Sequence, residues 1–255
     1  MASLRQEFID RWKKDGPLAF QFFSRWNWLR LVDITDSRTW EYTATSSPTA
    51  IAVDYIGGRP CAKMAGANGA DDGHCFQWGT GAADGCFQFI ADKIVAIKCS
   101  FRTAHATAAT PELLIGFYAA PTVTAPIANI GSLTDYFLMN KLTAETVFSI
   151  EARKASGTAE STSLPETAIA ANTWQDYEIY IKPSTTAGRG TVEVWRATAG
   201  GEMMPISGTV TNPDQITIST QLPDSVDMTF AIAQEAGDTG TDASFTGGGF
   251  VAQLY

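Results

Sequence analysis

The chain has 255 residues, 45% of them hydrophobic and 18% charged, with a formal net charge of −9. That composition supplies ample apolar material for one large core and too little charge for a disordered chain. No run of basic residues offers an electrostatic footprint for a phosphate backbone, so nucleic acid is not an expected partner.

The N-terminus, MASLRQEFIDRWKKDG, reads as an amphipathic helix. Ser3 and Gln6 have capping-box spacing, Leu4, Phe8 and Trp12 recur every four residues, and Gly16-Pro17 ends the pattern. Charge alternates with apolar residues along it, which suits neither a secretory signal nor a bilayer span, so no membrane partner is expected and synthesis in a cytosol is. Glu7 with Arg11 and Asp10 with Lys14 stand four apart with the acid first, an order that supports a helix. A helix of about a dozen residues is marginal alone, so its apolar stripe needs a surface to lie on. The stretch PLAFQFFSRWNWLRLVDI follows, crowded with Phe20, Phe22, Phe23, Trp26 and Trp28. These aromatics read either as a strand closing the core or as an anchor that docks on another subunit.

From about Val32 onward, short alternating runs are broken by Gly, Pro, Asn, Asp and Thr, the rhythm of an antiparallel sandwich. Residues 71–86, DDGHCFQWGTGAADGC, invite a metal or thiol reading. If HCFQW is extended, however, His74 and Cys75 point to opposite faces and cannot act together, and the other histidine, His105, lies in a loop. Cys61, Cys75, Cys86 and Cys99 are too sparse for a disulfide scaffold and are expected as buried free thiols. Asp71 and Asp72 with Asn68, and Asp238 with Asp242, supply oxygen ligands of the calcium type without an EF-hand order, and read more simply as turn residues. No cofactor or metal is expected.

Strand candidates continue through KIVAIKCSFRT, ELLIGFYA and ETVFSIEARK. Beyond them Tyr177, Ile179 and Ile181 share a face, as do Val192 and Val194, Ile216, Ile218 and Leu222, Met228, Phe230 and Ile232, and Phe250, Ala252 and Leu254. With at least eight strands and no helix after residue 31, the expected fold is all-β: a two-sheet antiparallel jelly-roll sandwich over 32–255, with a short N-terminal helical arm over 1–31.

The best chemical candidates are Asp176 and Glu178, two apart and so on one face of a strand, with Trp174, Tyr180 and Lys182 in the same parity. If Val192 and Val194 point inward, Glu193 and Trp195 join them in a polar face dotted with rings, which suits a sugar. The plainer alternative is a solvent- or partner-facing sheet with ordinary cross-strand pairs. Sandwich glucanases carry a tighter strand with Glu, Asp and Glu alternating, and this chain has none, so binding without hydrolysis is the better form of the idea. GxSxG, GKS or GKT, HExxH and GxGxxG are absent as well, and the chain is not expected to be an enzyme.

The order of segments carries a resemblance. WEYTATSS, FQFIADKIVAIKCSFRT, PELLIGFYAA, SLTDYFLM with Thr134-Asp135, NTWQDYEIYIKP beside GTVEVWRA, ITISTQLPDSVDMTFAIAQEAGD and the closing GGGFVAQLY follow one another from Asp33 onward. Together they resemble tailed-bacteriophage virion proteins of the capsid decoration or cement type, with a concanavalin-like jelly-roll. The resemblance implies a non-enzymatic protein that is made in the host cytoplasm and sits on the capsid exterior. It would bind the major capsid protein and stabilise the shell as a homo-oligomer, a trimer, matching local symmetry axes. The arm lies outside the resembling segments, so Phe8, Trp12, Phe20, Phe22, Phe23, Trp26 and Trp28 are the expected interface, and deleting 1–31 is expected to leave a folded sandwich. The alternative is a lectin-like carbohydrate-binding module of a phage or bacterial adhesion protein, using Trp174, Asp176, Glu178, Tyr180 and Trp195. A glycoside hydrolase built on Asp176 and Glu178 is the third reading.

Overall fold

The structure, a computed structural model, describes residues 3–16, 20–26, 40–45, 52–65, 73–78, 87–104, 112–119, 130–142, 144–166, 169–198, 201–235 and 243–254. Helix α1 spans Leu4–Asp15. Its N-cap is Ser3, whose hydroxyl accepts from the Gln6 backbone, and Gly16 closes it at φ 56° by donating to the Trp12 carbonyl. The strands follow in chain order: β1 Phe20–Trp26, β2 Trp40–Thr45, β3 Ala52–Ile56, β4 Arg59–Ala65, β5 Gly73–Trp78, β6 Val95–Thr103, β7 Glu112–Tyr118, β8 Tyr136–Lys141, β9 Ser149–Arg153 and β10 Glu160–Ser163. Then come β11 Gln175–Pro183, β12 Gly190–Thr198, β13 Met204–Pro205, β14 Gly208–Thr209, β15 Asn212–Pro213, β16 Ile216–Ile218, β17 Thr229–Glu235, β18 Ala243–Gly247 and β19 Gly249–Leu254.

Two antiparallel sheets face each other. The larger has ten strands in the order β13-β12-β11-β6-β18-β4-β3, with β16 beside β12 and with β19 bridging β6 and β1. The smaller has seven, ordered β10-β9-β8-β7-β17-β5-β2. Alternation sorts the core. Val95, Ile97, Cys99 and Phe101 of β6, Tyr177, Ile179 and Ile181 of β11, and Val192 and Val194 of β12 meet Leu113, Ile115 and Phe117 of β7 and Phe230 and Ile232 of β17. The apolar residues expected to share a face on β11, β12 and β17 do so, and that face is the inner one.

The closing strand differs. Val251 is its residue in the main core, whereas Phe250, Ala252 and Leu254 point to the outer side and pack with Leu4 and Phe8 of α1. An apolar run appears on both faces of β19 because the helix covers one of them. This also corrects the expected division at residue 31. The helix lies on the chain's own sheet, and β1 pairs with β19 from Phe20↔Leu254 to Trp26↔Gly249, so Leu4–Asp15 and Phe20–Trp26 contribute to the sandwich. The helix acids choose partners other than the expected ones: Glu7 meets Lys182 at 3.3 Å, Asp10 accepts from Gln6 at 2.7 Å, and Arg11 pairs with Asp15 at 3.5 Å.

Cys61, Cys75 and Cys99 are buried free thiols, and Cys86 lies outside the described residues. Cys75 packs on the outer side of the seven-stranded sheet while its neighbour Phe76 enters the core, so His74 and Cys75 do face opposite ways.

Lys141 is fully buried at the end of β8, and burial pushes its ammonium down to about 8, against the opposing pull of Glu145 and Glu112. Below that value both folded and unfolded chains carry the charge and the burial penalty is complete. As pH rises toward the unfolded value of 10.5, the folded state loses its proton first and the penalty is relieved. Stability contributed at this site therefore rises between pH 8 and 10.5, by an amount on the order of 3 kcal/mol. Urea unfolding across that range, compared with Lys141→Met, measures it; the variant is expected to lack the rise.

Candidate functional site

The outer face of the ten-stranded sheet holds the acids singled out from the sequence. On β11 the residues that do not enter the core are Asp176, Glu178, Tyr180 and Lys182, as a period of two requires. Register sets Asp176 opposite Ser100 and Ala197, Glu178 opposite Lys98 and Trp195, and Tyr180 opposite Ala96 and Glu193.

Helix α1 covers one half of this face. Phe8 packs edge-on against Tyr180 with ring centroids 5.6 Å apart, and Leu4 and Phe8 join Ile94, Ala96, Tyr180, Trp195, Ala252 and Leu254 in one cluster. The fully buried Glu193 carboxylate receives Ser3 Oγ at 2.8 Å, Leu4 N at 2.8 Å, Arg5 N at 3.1 Å and Trp195 Nε1 at 2.7 Å. A carboxylate there satisfies free N–H groups of the first turn and complements the helix dipole.

Among the described residues the other half is open. A cleft of about 600 Å³ is lined by Arg5, Arg59, Lys98, Asp176, Glu178 and Met203, among others. Asp176 accepts from Arg59 at 2.7 Å and from Ser100 Oγ at 2.5 Å. Glu178 accepts from Arg5 Nε at 2.7 Å, Tyr180 Oη at 2.9 Å and Lys98 Nζ at 3.4 Å. Burial alone pushes the Glu178 carboxyl up, but the Arg5 hydrogen bond and charge, with Lys98 and Tyr180, hold it below the usual carboxylate range. The guanidinium of Arg5 also lies over the Trp195 ring at 4.7 Å, and that of Arg59 over Trp174 at 5.5 Å.

The sheet thus brings together the five residues expected on a glycan face but does not present them as expected. Trp174, Tyr180 and Trp195 are 5%, 3% and 1% exposed, so none offers a ring for a sugar to stack on. Trp174 instead donates to the Ile56 carbonyl, and Trp195 to Glu193. Phe8 of the expected interface set is buried against its own sheet, which removes it as an anchor for another subunit, while Trp12 is 41% exposed. Phe20, Phe22, Phe23 and Trp26 belong to β1, and Trp28 lies outside the described residues. Asn68, Asp71, Asp72, Asp238, Asp242 and His105 also lie outside them. Among the described residues no group of three His, Cys, Asp or Glu side chains could hold a metal, and no helix is long and apolar enough to cross a membrane.

Sequence reasoning missed Arg5, Arg59, Lys98 and Ser100. For Lys98 and Ser100 a signal existed, since they alternate with Ile97, Cys99 and Phe101 on β6. Arg5 and Arg59 come from distant segments and needed the topology.

No family model and no curated protein matches the chain. Solved structures do. The galactose complex of lectin UEA-II superposes with a TM-score of 0.55 at 8% identity, covering 92% of this chain and 100% of that one. Peanut lectin with a bound nine-residue peptide gives 0.55 at 9% identity over 91% and 97%. The fold is concanavalin-like. An endo-1,3-β-glucanase from Streptomyces sioyaensis gives 0.51 at 10% identity over 92% and 96%. The structural neighbours of this chain therefore include lectins and a glucanase, and the shared fold does not decide between binding and hydrolysis.

Proposed function

We propose that the protein is a non-catalytic, carbohydrate-binding concanavalin-like module of a phage or bacterial adhesion protein. The observation that carries the reading is the open cleft whose two carboxylates are both committed to cations. Glycoside hydrolysis requires one carboxyl that keeps its proton near neutral pH beside a second that acts as nucleophile or base. Glu178 is held ionised by Arg5 and Lys98, and Asp176 is paired through Oδ1 with Arg59 and Ser100. Rigid, mutually oriented polar groups in an open cleft are suited instead to fixing ligand hydroxyls. The galactose bound by lectin UEA-II lends the sandwich a precedent as a sugar-binding scaffold.

A glycan array probed with the full chain is expected to give binding to a defined subset of sugars, and reducing-end assays on the bound sugars no product. An array at background removes the reading, and product release turns it into an enzyme.

A second reading, capsid decoration, follows the resemblance in segment order and is favoured by Trp12. This large side chain is left 41% exposed on a helix whose Leu4 and Phe8 are buried, the kind of ring that anchors a partner. In that reading the partners are the major capsid protein and other copies of the chain, the place is the virion exterior, and the oligomer is a trimer. Light scattering followed by cosedimentation with empty heads tests it. Attachment that weakens about tenfold in Trp12→Ala is expected, a loss typical of one interfacial anchor; a monomer that stays in the supernatant dismisses it.

A further inference from the structure

We infer that the ligand of the cleft is an acidic sugar, one that bears a carboxylate or a sulfate. The inference rests on the carbohydrate reading above and names the chemistry of its ligand. Among the described residues that line the cleft there are three cations and two carboxylates, and they are not equally presented. The Asp176 and Glu178 side chains are recessed at 14% and 11% exposure, whereas Arg59 and Lys98 project at 36% and 41%. An approaching ligand meets positive charge first.

Hydrogen-bonding capacity points the same way. The acids accept inward, from Ser100 and Tyr180 as well as from the cations. Arg59 has five N–H donors and commits Nη1 to Asp176, and Lys98 has three and commits one, at 3.4 Å, to Glu178. Among the described residues neither side chain has a further hydrogen bond, so the rim is rich in donors and the acceptors lie beneath it. A neutral sugar, whose hydroxyls donate as readily as they accept, leaves half of that complementarity unused. A carboxylate or sulfate brings only acceptors, and its charge is opposite to the surplus in the cleft. The local surplus is notable on a chain of net charge −9, where acidic ligands would otherwise be repelled. Gly201, Gly247 and Gly248 border the cleft without side chains to fill it, and Met203 supplies one apolar wall.

Calorimetric titration of the full chain against matched pairs tests the inference: trigalacturonate against galactotriose for the carboxylate, and galactose 6-sulfate against galactose for the sulfate. One acidic member is expected to bind about tenfold tighter than its neutral counterpart, the worth of one charge-assisted hydrogen bond, with affinity falling as salt rises. Arg59→Met and, separately, Lys98→Met are expected to remove that preference while thermal melts report a folded protein; Lys98, half exposed and weakly paired, is the safer of the two for folding. If neutral sugars bind as tightly as both acidic ones, or if the preference survives in both variants, the inference is overturned and carbohydrate binding stands. If no member of either pair and no glycan on the array binds, both fall together.

Discussion

Gly116→Ala is expected to lower stability by roughly 4 kcal/mol, a large fraction of what a domain ordinarily has. Gly116 sits within β7, flanked by Leu138 of β8 and Ala231 of β17, with φ 152°. A Cβ there would stand 2.2 Å from the Phe137 carbonyl oxygen and 2.9 Å from the Leu138 Cα. Both obstacles are backbone atoms of a paired strand, so no rotamer change relieves the clash, and only displacing β8 from β7 makes room. That displacement would pull Phe137 and Met139 out of register with Phe117 and Ile115. Urea unfolding monitored by circular dichroism measures the effect. Gly131→Ala, where nothing lies within 4 Å of the added carbon, is the control and is expected to match wild type. A loss of less than about 1 kcal/mol in Gly116→Ala would mean that the pairing of β7 with β8 is wrong.

Glu193→Ala is expected to cost about 4 kcal/mol and to release α1 from the sheet. Four donors depend on that carboxylate: the Ser3 hydroxyl, the Leu4 and Arg5 amides and the Trp195 indole. Alanine leaves all four without that acceptor, most of them buried, and the least costly escape is for the helix to lift into water. Lifting bares Tyr180, Trp195, Ala252 and Leu254, so tryptophan emission should shift to the red and the protein should self-associate. For the same reason a chain lacking residues 1–31 is expected to aggregate, since it loses β1 as well as the helix. A truncated chain that stays monomeric and melts like wild type would return the segment to the role of a separable arm.

The fold was legible in the sequence where one physical rule decides it. Period-two alternation located β6, β7, β9, β11, β12, β17 and β19, and Ser3 with Gly16 bounded the helix. Alternation assigns faces only in pairs, however, and cannot say which face is inside. Phe250, Ala252 and Leu254 form a valid apolar stripe, yet it points outward because α1, from the far end of the chain, covers it. The aromatics of the expected glycan face were misjudged for the same reason. Tyr180 and Trp195 share the outer face with the acids, as parity requires, and spacing alone cannot dock the helix that buries them. The acids were found because Asp176 and Glu178 share one strand, whereas their counter-charges arrive from α1, β4 and β6, where no local pattern links them. That missing half matters most for the proposed function, since the cations tie both acids of a pair resembling a hydrolase's into fixed ion pairs.

Locating the binding face by amide chemical-shift mapping, with the tightest sugar from the array titrated into isotopically labelled protein, is the most direct measurement. Shifts are expected to cluster at Ser100, Asp176, Glu178, Ala197 and Gly247, around the cleft on the ten-stranded sheet. Shifts confined to the outer side of the seven-stranded sheet, around Leu114, Tyr136 and Ala233, would contradict the assignment and move the site to the opposite face of the sandwich.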